Sequence, residues 1–301
     1  MFDYYATYEY YVSAALLVCA MFGMGNTLTP HQFLRVVRAP QGIVLIVVLQ
    51  SVVAPCLAIA MSRLLGLPSG IAIGMLLVAA LPGGLFSNVL TFLGRGNVAL
   101  SVSATALCTL GSLVMTTLIL KTFGSAQLPS DFTMPVGHIL FEISFCLLLP
   151  LVVGMVIRRL FPSHHSTIAN WCTKFSMVLL AVIIVGAMSA GRIQVSSYDW
   201  RSLIALAIYP ILLLWVAYAI GLICKLKRAD LLTVGIETVV RNSHLGVLLK
   251  ASLFPVEKGQ FLGDAVLFVI LFYGGMSLVI GGVEVIVMKR RWGVFRLVSD
   301  G

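Results

Sequence analysis

The sequence predicts an all-α polytopic membrane protein. Three observations carry that expectation: 60% of the residues are apolar, only 10% are charged, and mean hydropathy is +1.05. An ordinary soluble domain carries roughly 25% charged residues. The chain repeatedly offers runs of about 20 apolar residues, the length at which a helix spans a bilayer. Lipid leaves exposed backbone groups unsatisfied, so only helices or a closed barrel can span it. The apolar runs are continuous and do not alternate, so helices are expected.

Nine spans follow, near residues 9–28, 42–62, 69–93, 97–120, 136–157, 171–190, 202–224, 230–253 and 264–288. Their connections are short and hold Pro, Gly or basic residues, as in RLLGLPSG, GRGN and FPSHHST. The longest, KTFGSAQLPSDFTMPVG, is too short for a separate domain. The chain reads as one membrane unit over 1–301. The net charge of +9 comes from short basic clusters between spans, which is a loop pattern and argues against a nucleic-acid surface. With the N-terminus outside, 13 basic residues fall on the inner side, among them Arg35, Arg38 and Arg95, and 5 on the outer side, Arg192 among them. The acidic, aromatic N-terminus is therefore placed outside and the basic tail in the cytoplasm, and no basic n-region of a signal peptide precedes the first span. The six cysteines lie within apolar runs without paired metal-site spacing. They read as small buried side chains.

Two spans carry residues that lipid disfavours. The third holds Pro82-Gly83-Gly84 followed by Ser87, Asn88 and Thr91. Proline removes a donor and the glycines allow unwinding, so this helix is expected to break. The eighth holds Glu237, Thr238, Arg241, Asn242, Ser243 and His244 in otherwise apolar sequence. Broken helices with polar side chains at mid-membrane are how many transporters build ion and substrate sites. Sodium, a small hard cation, takes oxygen ligands of the kind Ser87, Asn88 and Glu237 offer. Ser101 and Thr105 of the fourth span share one helical face and add two hydroxyls. The bland reading of these hydroxyls is a bond to the preceding turn. Glu142 and Glu284 read as interhelical hydrogen-bonding residues, with proton coupling as the other reading. His164 and His165 lie in a short loop.

At these residues the chain resembles the bile acid:sodium symporter family. The likeness rests on FGMGNTLTPHQFLRVVRAPQ, on PGGLFSNVLTFLGRGNVALSVSATALCTL and on GIETVVRNSHLGVLL, and register is continuous between them. The resemblance implies an inverted-repeat transporter with panel and core domains and two crossing discontinuous helices, spans three and eight here. The panel would comprise 9–28, 136–157 and 171–190, and the core 42–62, 69–93, 97–120, 202–224, 230–253 and 264–288. It implies a first sodium site at Ser87, Asn88, Ser101, Thr105 and Glu237. A second would use Gln50, the shared Glu237, and carbonyls of Thr238 and Val240, with a glutamine where this chain has Arg241. Substrate would bind near Thr91, Arg241, Asn242, Ser243 and His244.

Arg241 is the departure. A guanidinium has no acceptor and cannot ligate sodium. It could stand in for the second sodium, hold a substrate carboxylate, or form a structural salt bridge with Glu237. The resemblance implies sodium-coupled import of a small organic anion, a carboxylate such as pantoate or a keto acid, or a bile-acid-like molecule. One or two sodium ions would be the coupling ions, and the chain would sit as a multi-pass protein in a cell membrane, a bacterial inner membrane by its short length. A sodium-independent or proton-coupled organic anion carrier on the same fold, and a non-transport receptor, remain the alternatives. No nucleophile–base or metalloprotease motif suggests an enzyme.

Overall fold

The computed structural model describes residues 2–29, 40–124, 135–193 and 195–299, and within them the chain is helical. Arg35 and Arg38, with most of the TPHQFLRVVRAPQ turn, lie outside the described residues. So do the side chains of Lys258, Arg290, Arg291 and Arg296.

Among the described residues six helices are long and apolar enough to cross a bilayer: α2 (Pro40–Leu64), α5 (Val98–Phe123), α6 (Val136–Leu160), α7 (His165–Ser189), α8 (Trp200–Ile223) and the Phe261–Lys289 stretch of α11 (Val256–Ser299). α1 covers Phe2–Gly25. The two remaining spans are each interrupted. Span three is α3 (Ser69–Ala80) and α4 (Leu85–Leu93), and span eight is α9 (Arg228–Val239) and α10 (Ser243–Leu253). α5 ends in wider, π-type winding at Leu120–Gly124, and two further stretches lie inside helices, at Leu49–Val53 in α2 and Ile143–Leu148 in α6. Each of these internal two precedes a proline, Pro55 or Pro150, whose missing N–H disturbs the regular ladder.

The broken helices are sheathed by the others. Every residue of Gly70–Ala80, Leu231–Val239 and His244–Ala251 is buried, so polar side chains on them are shielded from lipid. α7 is the opposite: Trp171, Phe175, Val178, Val182 and Val185 stand exposed along it, an apolar face suited to lipid. α1 packs along α7 and α6 and also touches α10, while α11 lies on α3 and α8 on α9. α1 and α6 meet at glycine. A Cβ on Gly25 would collide with the Leu151 carbonyl, and one on Gly154 with that of Phe22.

An ion cluster that the loop reading of Arg192 does not anticipate joins these elements. Glu9 of α1 accepts from Lys250 Nζ of α10 at 2.8 and 3.0 Å and from Arg192 Nη1 at 2.9 Å. Arg192 also donates through Nε to Asp264 of α11 at 2.5 Å. Glu9, Arg192 and Lys250 are all buried. Arg192 therefore belongs to a buried network and not to a solvated outer loop. None of its four charges has a local partner in the sequence, because the pairs lie 72, 183 and 241 positions apart.

Candidate functional site

The two helix breaks meet. Gly83 and Arg241 pair as an isolated antiparallel bridge, and the Asn242 amide donates to the Pro82 carbonyl at 2.9 Å. Breaking a helix frees carbonyls that must find donors in an apolar interior. Here the donors come from neighbouring helices. Thr116 Oγ1 reaches the Ala80 carbonyl at 2.6 Å and Arg241 Nη1 that of Leu81 at 3.1 Å. On the other break, Gln50 Nε2 reaches the Glu237 carbonyl at 2.7 Å and the Tyr273 hydroxyl that of Val239 at 2.6 Å. Asn242 then caps α10 by accepting from the Leu245 amide at 3.2 Å.

Glycine is required at the crossing for space. A Cβ on Gly83 would lie 2.6 Å from Glu237 Oε2, and one on Gly84 would lie 3.2 Å from both the Arg241 carbonyl oxygen and Asn242 Cα. The sequence folds this way because Pro82 ends α3, and two residues without side chains then let the second break approach.

The structure brings Ser87, Asn88, Ser101, Thr105 and Glu237 into one cluster. Glu237 is fully buried. Ser101 Oγ donates to its Oε1, and Thr105 Oγ1 to its Oε2 at 2.9 Å. Ser101 Oγ also lies 2.8 Å from Asn88 Oδ1, and Thr105 Oγ1 lies 3.4 Å from that oxygen and 3.5 Å from Ser87 Oγ. Each hydroxyl has one proton to give. Ser87 spends its own on the Gly84 carbonyl at 2.7 Å, the backbone bond expected of an intramembrane serine. That leaves two protons for the two carboxylate oxygens and the Asn88 carbonyl oxygen. Acceptors outnumber donors around a buried negative charge, and every acceptor is oxygen. The residues therefore fit a small hard cation.

The second-site residues are only partly gathered. Gln50 binds the backbone of Glu237, and its own Oε1 is buried without a partner. The Thr238 hydroxyl turns back to the Val234 carbonyl at 2.7 Å. Val240 is buried at the break. Arg241 is buried, with Nε and Nη2 unpartnered, and lies near the Tyr209 and Tyr273 rings. Among the described residues no ion pair joins it to Glu237. This corrects the structural salt-bridge reading. Four residues apart would bring the two together on a continuous helix, but α9 ends at Val239 and the chain leaves the helical path before Arg241.

The proposed substrate residues diverge. Asn242 Nδ2 faces α1, 3.8 Å from Met21 Sδ. His244 is buried, stacks on Phe86 at 6.2 Å, and has no partner on Nε2. Ser243 lies against Gly274 of α11, while Thr91 sits beside Gly96 with its hydroxyl unpartnered. A cavity of about 230 Å³ lies beside the crossing, lined in part by Gln50, Leu81, Pro82, Cys108 and Met115. Sequence reasoning missed Tyr273 and Thr116, which close the broken ends. Each sits in a helix of ordinary composition, and no local signal marks its role.

The model of the Sodium Bile acid symporter family matches residues 14–198. The chain belongs to this family. Its relatives include the protein of Bacillus subtilis (strain 168) named "Uncharacterized sodium-dependent transporter YocS". That protein is 31% identical over 78% of this chain and 72% of its own length. The "Probable sodium/metabolite cotransporter BASS2, chloroplastic" of Oryza sativa subsp. japonica is 28% identical over 86% of this chain and 61% of its own length. The "Sodium-dependent organic anion transporter" of Rattus norvegicus is 26% identical over 82% of this chain and 66% of its own length. Against the last two, the chain spans slightly less than two thirds of the relative. The sodium bile acid symporter family is one of membrane transporters and not of enzymes.

Proposed function

We propose that the chain is a secondary active transporter that imports a small organic anion with sodium by alternating access. The observation that carries the reading is the acceptor-rich cluster of Ser87, Asn88, Ser101, Thr105 and Glu237 at the crossing of two broken helices. Sodium entering it would let the Ser101 and Thr105 hydroxyls turn lone pairs to the ion and would neutralise the buried carboxylate. The crossing would tighten as a result. α1, α6 and α7 would form the panel, and the remaining helices the core that moves against it. Asn242, which already faces α1, would line the crevice between them, with Ser243, His244 and Thr91 as the further substrate residues.

In this reading Arg241 replaces the second sodium with a tethered cation, and transport couples to one ion. Its unpartnered Nε and Nη2 support a role other than a salt bridge; a substrate carboxylate is the other group that two such donors could hold. The substrate would be a small carboxylate. The membrane would be a bacterial inner membrane, with the N-terminus outside and the C-terminus in the cytoplasm. The inward sodium gradient and membrane potential would supply the drive, one charge across 100 mV being worth about 2.3 kcal/mol.

The test is counterflow in proteoliposomes with a set of labelled organic anions, in sodium and with choline in its place. Uptake of at least one carboxylate that requires sodium, hyperbolic in sodium, supports the reading. Equal uptake in choline would favour the sodium-independent carrier.

A further inference from the structure

A second carboxylate is buried on α6, outside the crossing. Glu142 of α6 is fully buried, facing Ser252 of α10 and Tyr10 of α1. Glu284 makes the interhelical hydrogen bond expected of it, accepting from the Tyr218 hydroxyl at 2.6 Å. His138, one turn earlier on α6, holds Nε2 3.3 Å from Glu142 Oε1 and is 47% exposed. Tyr10 of α1 stacks on the His138 ring, at 6.5 Å and 25°.

The groups facing Glu142 are few. From α1 comes the Tyr10 hydroxyl, and from α10 the Ser252 hydroxyl. Its own helix supplies His138 and Cys146. α5 also packs here, and it carries no charged residue between Val98 and Leu120. The buried cations of this region, Lys250 and Arg192, are both bonded to Glu9.

An intramembrane carboxylate whose ionic neighbour is a histidine is a functional candidate, because its charge there is costly. The surroundings decide which cation it takes. Two hydroxyls and an imidazole do not make the oxygen cage a hard metal ion requires, whereas an imidazole next to a carboxylate is suited to pass a proton. The ring is half-exposed and the carboxylate is not. We propose that Glu142 is a proton-binding site of this protein, loaded through His138 and separate from the cation cluster at Glu237.

The position gives the proton a consequence. Glu142 lies at the seam between α1 and α6 on one side and α10 on the other. On the transporter reading above, on which this step rests, that seam parts during the cycle. Opening it would draw Ser252 away and admit water to the carboxylate, so proton loading and opening are linked.

The test is infrared difference spectroscopy of the purified full-length chain, acid minus alkaline buffer, with sodium-induced thermal stabilisation measured on the same samples. Wild type is expected to show a protonated-carboxyl band that disappears as pH rises. E142Q should lose that band, and H138Q should keep it with a shifted midpoint. A band unchanged in E142Q overturns the proposal, and a midpoint unmoved in H138Q overturns the route through His138. Should E142Q fail to fold, H138Q decides: an unmoved midpoint counts against the site. Absence of sodium stabilisation in wild type would defeat the transporter reading and leave the proton site standing.

Discussion

The Asn242 amide donates to the Pro82 carbonyl across the crossing of two broken helices, so each break completes the other. The proposed cation cluster hangs from that one backbone contact and its neighbours. A side chain added there should therefore damage ion binding before it damages the rest of the fold. In Gly83→Ala the new methyl would lie 2.6 Å from Glu237 Oε2. Overpacking of this kind typically costs about 1–3 kcal/mol, here set against the carboxylate. We expect sodium-induced stabilisation to fall at least tenfold in apparent affinity, measured by thermal unfolding against sodium concentration.

Ser101 and Ser103 provide a matched pair. Ser101 donates to Glu237, whereas Ser103 bonds the Ala99 carbonyl of its own helix at 2.7 Å. A hydrogen bond to a charged group contributes about 1.5–3 kcal/mol, roughly ten- to a hundredfold in affinity. Ser101→Ala should raise the sodium concentration for half-maximal stabilisation by that factor. Ser103→Ala should leave it within about twofold.

Arg241 makes the sodium stoichiometry testable. With the guanidinium in place, the sodium dependence of uptake should have a Hill coefficient of about one. Arg241→Gln supplies an oxygen ligand in its place and should move the coefficient toward two. A wild-type coefficient near two would remove the tethered-cation reading.

The buried Glu9–Lys250 pair bears on stability. Removing one partner of such a pair leaves an uncompensated charge and costs about 3–5 kcal/mol. Lys250→Met should lower the thermal unfolding midpoint sharply. Glu9→Gln added to it should restore part of the loss, because the remaining Arg192–Asp264 pair is then balanced in charge. Additive losses would show that the two residues act independently.

Much of this molecule was legible in the chain. The helix breaks were visible at Pro82-Gly83-Gly84 and at Glu237–His244, because proline, glycine and intramembrane polar residues act locally. The residues that satisfy the breaks were not. Tyr273 and Thr116 close carbonyls on other helices, and nothing in their own sequence surroundings announces a partner; Gln50 entered only through the family resemblance. The same holds for Arg192, which local sequence places in a loop and long-range packing buries against Glu9. Arg241 shows the opposite failure: spacing suggested a salt bridge, but the helix it assumed stops at Val239.

The glycine contact between α1 and α6 has a mechanical consequence. At Gly25 and Gly154 the two backbones interlock so closely that neither strand of the pair has room for a methyl group. Sliding either helix along the other would drive a side-chain-bearing residue into the notch. In the transport cycle proposed above the pair would therefore travel as one lever, with any flexing taken up at its ends or in the connections that follow.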